Sequence, residues 1–297
     1  MSDRYSFIPA TREQVETIRK KLGTDEEDIK RAITSVRDWL RMQPHLPDEI
    51  DDARIERIYV NCKCSIERVK KGLDAYYSLR TRYPEMMMNR DPMGADVVST
   101  MEHIVMLTMP RLTKELYRVH IFADPDPDPT WVSWTNYGKT VSINLDWMLL
   151  NDYSLGDVVI MDLKNTTAGH VLRSDINMIR AIEFGYKTAY CRSLKALHLI
   201  NADKVVDLAM KILKAALSEK LQKRTRRTEL SCFLHFVWSL QLSLENGGVC
   251  IRRNIGSCRK FNLAECPYTS ILQDQRRCLT KWQRNICRMN LEALPVL

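Results

Sequence analysis

The sequence predicts an α/β fold, in which a mixed or parallel sheet is covered by helices and preceded by a small all-helical domain. Two short, largely apolar runs, at 156–163 and 195–201, read as buried strands. A helical pattern follows each run, and this alternation is typical of parallel sheets because parallel strands need long crossover connections. The predicted domains are a helical domain at 1–92, an α/β domain at 93–250 and a divergent basic, cysteine-rich tail at 251–297.

Three helices are predicted in the N-terminal part. Residues 24–27 have the composition of a capping box with Thr24 as the N-cap, and apolar residues recur every three or four positions from 29 to 40. A second, short helix covers 55–59. A third begins after Ser65 and is ended by a proline at position 84.

The middle of the chain is predicted to contain one strand and one buried helix. Residues 85–116 have weak periodicity and are interpreted as a connecting wrap. Residues 117–123 alternate as a strand does, and the aspartate–proline repeat at 124–129 ends it in a turn, since proline cannot donate to a sheet. The apolar segment 140–153 is predicted to be a buried helix that precedes the first long strand of the sheet.

Composition indicates a soluble, cytoplasmic protein. Apolar residues make up 45% of the 297 residues, an ordinary share for a globular protein. No stretch approaches the roughly 18 consecutive apolar residues of a membrane span, and the first residues lack the apolar core of a signal peptide. The nine cysteines are odd in number and are predicted to be reduced thiols. Their spacing does not fit a zinc site, so no metal is expected.

The positive charge is concentrated near the C-terminus. From Gln222 onward there are 13 Lys/Arg and five Asp/Glu, and this surplus equals the formal charge of +8 for the whole chain. Such a tail suits an anionic membrane surface, or it is simply a solvated segment. It lacks the interleaved aromatic residues of a nucleic-acid stacking platform, so no nucleic-acid partner is expected.

Several stretches resemble the CRAL-TRIO family of lipid-transfer proteins, particularly its insect members of the retinaldehyde-binding and alpha-tocopherol-transfer type. The resemblance covers roughly residues 20–250. In the α/β part it is carried by 117–119, 156–164, His170, 189–201 and 215–221, and in the helical part by 61–67 and 76–85. Residues 230–264 resemble the end of the family's sequences, with a terminal helical segment missing, and this leaves a non-functional variant as one alternative.

The resemblance implies a non-enzymatic carrier that encloses one bulky hydrophobic ligand between the sheet and a mobile gate helix at 203–221. The implied ligand is a retinoid, carotenoid, tocopherol or phospholipid, with no other cofactor, and the carrier is expected to be a monomer. The gate sequence is broadly apolar on one face, which would also suit an ordinary core helix. The implied cavity and gate residues are Val159, Met161, Ile179, Ile182, Val206, Met210, Leu213 and Leu217.

The resemblance also implies contact with phosphoinositides at a membrane surface. The matching basic positions are Lys195, Lys220 and Arg224, whereas Ser193 stands where another basic residue is usual. An alternative function is therefore an interaction module that sits on phosphoinositide membranes without transferring cargo. Catalysis is not expected, because Asp162 and His170 have no accompanying nucleophile motif and no glycine-rich phosphate loop follows the first strand.

Overall fold

The computed structural model describes residues 7–47, 50–124, 126–202 and 218–228, which form a helical bundle packed against a sheet and its covering helices. The predicted gate residues 203–217 and the predicted tail 251–297 lie outside the described residues. The helices are α1 (Arg12–Leu22), α2 (Glu26–Arg41), α3 (Asp52–Asn61), α4 (Ile66–Arg82), α5 (Pro84–Met87), α6 (Ala95–His103), α7 (Trp134–Asn151), α8 (Ala168–Leu172), α9 (Ile176–Phe184) and α10 (Glu219–Gln222). The strands are β1 (Val105–Thr108), β2 (Arg118–Ala123), β3 (Asp157–Asp162), β4 (Leu194–Ile200) and β5 (Thr225–Arg227).

Helices α1 to α4 form the N-terminal bundle, and the start of α2 differs from the prediction. The N-cap of α2 is Asp25, whose carboxylate accepts from the Asp28 amide at 2.8 Å, so the prediction of Thr24 was wrong by one residue. Asp25 is the N-cap instead of Thr24 because Asp28, three residues later, bonds back to the Asp25 amide and completes a capping box. Helix α4 ends at Arg82, and Pro84 opens the next helix, where its missing N–H costs nothing.

The prediction of a connecting wrap at 85–116 was wrong. This segment contains most of α5, all of α6 and the edge strand β1, which pairs antiparallel with β2 from Val105↔Ala123 to Thr108↔His120. A four-residue strand is too short to show alternation, and its place in the sheet depends on a partner more than ten residues away. The fold therefore has an antiparallel edge that the sequence pattern did not indicate.

The five strands lie in the order β1-β2-β3-β4-β5, and all neighbours from β2 onward pair in parallel. The strands predicted at 156–163 and 195–201 are confirmed to within one residue at each end. A register shift at Asp157/Val158 pairs Asp157 with Leu194 and Val159 with Leu197. As a result, the side chains of Val159 and Leu197 lie on the same face of the sheet.

Gly156 makes the turn into β3 possible. Its φ of 147° lies in a region that residues with a Cβ rarely adopt, and a Cβ there would meet the Ser193 carbonyl oxygen at 2.3 Å. This close approach lets the Asp157 amide donate to the same carbonyl at 2.9 Å, which fixes the start of β3 against β4.

The core continues from the bundle into the helices that cover the sheet. One apolar cluster joins α2, α3 and α4 to α7 and α9, with Leu73 and Tyr76 of α4 among its most buried members. The helix predicted at 140–153 is confirmed as α7, which begins earlier than expected, at Trp134. In the described ranges no helix combines the length and apolarity needed to cross a bilayer.

Candidate ligand-binding cavity

A cavity of about 230 Å³ lies between one face of the sheet and helices α7 and α9. Its floor is formed by alternate residues of β3 and by Leu194 and Leu197 of β4, which share a face because the register shifts by one residue between them. Its walls come from residues three or four apart on the two helices, which share a helix face. The apolar lining consists of Phe122, Trp134, Tyr137, Val141, Leu145, Met148, Val159, Met161, Ile179, Ile182, Leu194, Leu197 and Leu221.

The structure brings together the cavity residues expected on the sheet and on α9. Val159 and Met161 lie two apart on β3, and Ile179 and Ile182 lie three apart on α9; all four line this cavity. The expected gate residues Val206, Met210, Leu213 and Leu217 lie outside the described residues. Leu221, near the end of the predicted gate, also lines the cavity.

Helix α7 supplies cavity residues that the sequence interpretation did not assign. Tyr137, Val141, Leu145 and Met148 recur every three or four positions and line the cavity. Their spacing is an ordinary helical pattern, which predicts a buried face without showing whether that face meets other side chains or an open space.

One part of the cavity wall is polar and ionic. Asp157, at the start of β3, accepts from Tyr186 Oη at 2.6 Å and from Arg192 Nε at 2.9 Å, and His120 Nε2 lies 3.3 Å from its other oxygen. Arg192 also donates to Asp152, at 3.1 Å. Asp152 in turn pairs with Arg118 Nη2 at 2.7 Å, so two carboxylates and two guanidinium groups form one buried network.

The network keeps its carboxylates ionised. Burial by itself would raise the pKa of Asp157, but the charge of Arg192 and the hydrogen bond with His120 hold it well below the usual range. The pKa of Asp152 is lowered for the same reason, with Arg118 and Arg192 outweighing burial. Because Arg118 lies on β2, Asp157 on β3 and Arg192 in the turn at 185–193, these ion pairs hold the three elements together.

We expect stability to fall as the pH falls below about 4. The folded-state pKa values of Asp152 and Asp157 are depressed, so their stabilisation is present above the unfolded value of about 3.9 and is lost as protons bind in the unfolded state. Urea unfolding at pH 7, 5, 4 and 3 measures this. A midpoint that stays constant down to pH 3 would contradict the assignment of ionised, paired carboxylates.

Glu183 connects the cavity wall to Ser218, near the C-terminal end of the predicted gate. Its carboxylate lines the cavity and accepts from the Ser218 amide at 3.1 and 3.2 Å, and the Ser218 hydroxyl donates to it as well. Ser218 is the N-cap residue of α10. Ser218, the first described residue after the gap at 203–217, is therefore held against α9.

The expected membrane residues belong to a larger basic cluster. Burial and the charges of Lys63 and Arg224 lower the pKa of Lys195, while Arg224 is the main cause of the lowered pKa of Lys220. The predicted trio therefore lies close together, although Arg224 also donates to the Leu194 carbonyl. The basic cluster consists of Lys63, Arg68, Lys187, Lys195, Lys220 and Arg224.

Two of these cations come from the N-terminal bundle: Lys63 follows the C-cap residue of α3, and Arg68 lies in the first turn of α4. Sequence reasoning missed them because they lie about 130 residues before Lys195, and only packing of the bundle on the sheet brings them near. Lys195 is anchored further by Tyr117, whose ring centre lies 5.2 Å from Nζ.

Asp162 and His170 serve local structure. Asp162 accepts from Asn201 Nδ2 at 2.8 Å and from the Lys164 amide at 3.0 Å, which joins the ends of β3 and β4. His170 Nδ1 accepts from the Thr167 amide at 3.2 Å in the capping box of α8. Within the described residues no group of His, Cys, Asp and Glu side chains is arranged to hold a metal ion.

The sheet and its covering helices define an α/β protein with a largely apolar cavity between them. Residues 140–248 match the family model of the CRAL/TRIO domain, so the chain contains a CRAL/TRIO domain. Residues 25–97 match the model described as the Pinta-like UBA domain, which corresponds to the helical N-terminal region. At the level of the family, the CRAL/TRIO match supports lipid binding and transfer.

Solved structures that resemble this chain include the crystal structure of Sfh5. It is 12% identical in sequence, with a TM-score of 0.43, over 90% of this chain and 99% of that chain. Comparison with curated protein sequences finds no match.

Proposed function

We propose that the chain is a non-enzymatic carrier that binds a bulky hydrophobic ligand in the cavity between the sheet and helices α7 and α9. The observation that supports this most is the lining itself, in which thirteen largely apolar side chains from five elements and α10 converge on one space. Binding would be driven by removal of apolar ligand surface from water, at about 25 cal/mol per Å².

The proposed ligand is a retinoid, carotenoid, tocopherol or phospholipid. A volume of about 230 Å³ is below the roughly 300–1,000 Å³ of most small-molecule sites, so the cavity has to widen when it is loaded. The segment proposed to move is the gate at 203–221, which ends at Leu221 on the cavity wall. The contact between Glu183 and Ser218 gives this segment a fixed point on α9.

Native mass spectrometry of the purified full chain tests the carrier proposal. We expect a co-purifying apolar molecule, which organic extraction and mass measurement would identify. A chain that is folded but stays empty after incubation with lipid extracts would contradict the proposal.

We further propose that the carrier docks transiently on anionic membranes, with phosphoinositides as the preferred lipids. The basic cluster supports this, since Lys220 interacts electrostatically with each of the other five cations, which come from both domains. Each Lys or Arg near an anionic surface contributes about 1 kcal/mol of attraction. Ser193 stands where a basic residue is usual, and Lys63 and Arg68 of the bundle supply positive charge in its place.

Removal of three cations is expected to weaken vesicle binding roughly hundredfold, from about 1 kcal/mol for each cation. The variant is Lys187→Ala, Lys195→Ala and Lys220→Ala, which leaves Arg224 and its bond to Leu194 in place. Co-sedimentation with phosphatidylcholine vesicles with and without phosphatidylinositol bisphosphate measures the change.

The matched variant is Lys20→Ala, Lys21→Ala and Lys114→Ala, which removes the same charge from exposed positions outside the cluster. Equal loss in both triple variants would show that net charge alone decides binding and would contradict a docking site. We expect the cluster variant to keep its bound ligand, which would show that the cluster acts in membrane contact and not in ligand binding. An interaction module without cargo would bind vesicles and contain no ligand.

A further inference from the structure

Two thiols meet at the seam between the helical bundle and the sheet domain. Cys62 is the C-cap residue of α3 and is buried, with 3% of its surface exposed. Cys191 lies in the turn before β4, 129 residues later in the chain, and is half-buried. Cys191 packs against the apolar cluster that contains Cys62, the two side chains interact electrostatically, and both cysteines are free.

The surrounding backbone holds the two sulfur atoms in place. Next to Cys62, Asn61 Nδ2 donates to the Tyr190 carbonyl at 3.2 Å, which ties the end of α3 to the turn that carries Cys191. Cys191 has a positive φ of 51°, and its thiol donates to the Thr188 carbonyl at 3.1 Å. On the α4 side, a Cβ at Gly72 would come within 2.6 Å of Cys191 Sγ, so only glycine leaves room for the sulfur.

We propose that Cys62 and Cys191 are a redox modification site, at which a low-molecular-weight disulfide such as oxidised glutathione converts the thiol pair into an interdomain disulfide. The inference is independent of ligand carriage. Cys191 is the more exposed of the two thiols and therefore reacts first, whereas interaction with Cys191 and burial raise the pKa of Cys62.

The reaction is a two-step thiol–disulfide exchange. Cys191 gives its proton to solvent and attacks one sulfur of oxidised glutathione, which forms a mixed disulfide and releases one glutathione thiolate. Cys62 then gives its proton to solvent and attacks Cys191 Sγ, and the second glutathione thiolate leaves. Two protein thiols are oxidised by two electrons in total, and one oxidised glutathione becomes two reduced molecules.

The disulfide would fix the seam beneath the basic cluster. Lys63 follows Cys62 directly, and Lys187 and Lys195 stand four residues before and after Cys191. A crosslink between these two segments would fix the distance between Lys63 of the bundle and Lys187 and Lys195 of the sheet domain. Redox state is thereby coupled to the geometry of the surface that carries the cluster.

Peptide mapping of the native full chain tests the proposal. The reduced protein is incubated with oxidised glutathione, remaining thiols are alkylated, and trypsin is added without reductant. Cleavage at Arg57, Lys63, Arg68, Lys187 and Arg192 places Cys62, Cys64 and Cys191 on separate peptides, 58–63, 64–68 and 188–192. We expect 58–63 linked to 188–192 as the main product of these three cysteines.

Cys64→Ser is the matched variant, since Cys64 lies two residues from Cys62 but beside the Thr24 and Tyr59 side chains. It should retain the crosslink, whereas Cys62→Ser and Cys191→Ser should each abolish it. Pairing of 64–68 with 188–192, or a Cys191 that remains free or glutathionylated in the folded wild type, would overturn the proposal. A crosslink of equal yield in urea would do so too, because the fold would then not direct it.

Discussion

Replacement of Arg192 by methionine is expected to destabilise the protein by roughly 3–5 kcal/mol, the usual cost of breaking a buried ion pair. Arg192 is 6% exposed and bonds both Asp152 and Asp157. Without it, Asp157 keeps only His120 and Tyr186, so a carboxylate remains buried without a full countercharge. Urea unfolding at pH 7 measures the loss.

The matched substitution is Arg41→Met, which removes an exposed ion pair with Asp38 on the bundle surface. Its expected cost is at most about 1 kcal/mol. Asp157→Asn in the Arg192→Met background should recover part of the loss, since it removes the uncompensated charge and makes the two changes non-additive. If Arg192→Met and Arg41→Met had equal effects, the network would not be the structural element described above.

Replacement of Val159 by tryptophan is expected to reduce ligand occupancy at least about tenfold, which corresponds to a loss of about 1.4 kcal/mol in binding. Val159 lies on the cavity floor in the middle of β3, so a larger side chain there projects into the space that a ligand would fill. The quantity to measure is the molar ratio of extracted ligand to folded protein.

Leu172→Trp provides the comparison, because Leu172 is 77% exposed and lies outside the cavity lining. It should carry the same amount of ligand as the wild type. Thermal unfolding of both variants shows whether each is folded, since an overpacked core would cost about 1–3 kcal/mol. Undiminished ligand in folded Val159→Trp would place the ligand elsewhere and would contradict the proposed cavity.

Local patterns predicted the elements that can be recognised from neighbouring residues. The strands around Val159 and Leu197 were predictable because a buried parallel strand is a short apolar run with polar ends. Helix α7 was predictable from its apolar content, although its first six residues were missed. The edge strand β1 was missed because four residues carry no reliable period, and the N-cap of α2 was displaced because Thr24 and Asp25 are both good caps.

The sequence by itself determined the α/β class and the parallel strands, and the resemblance to a known family singled out Val159 and Met161, two residues apart on one of them. The tertiary structure decided which faces meet. It brought Lys63 near Lys195, Cys62 near Cys191, and Arg118 and Arg192 to the same carboxylate, that of Asp152. The physical reason is that periodicity records whether a side chain is buried, whereas its partner is fixed only when elements far apart in the chain pack together.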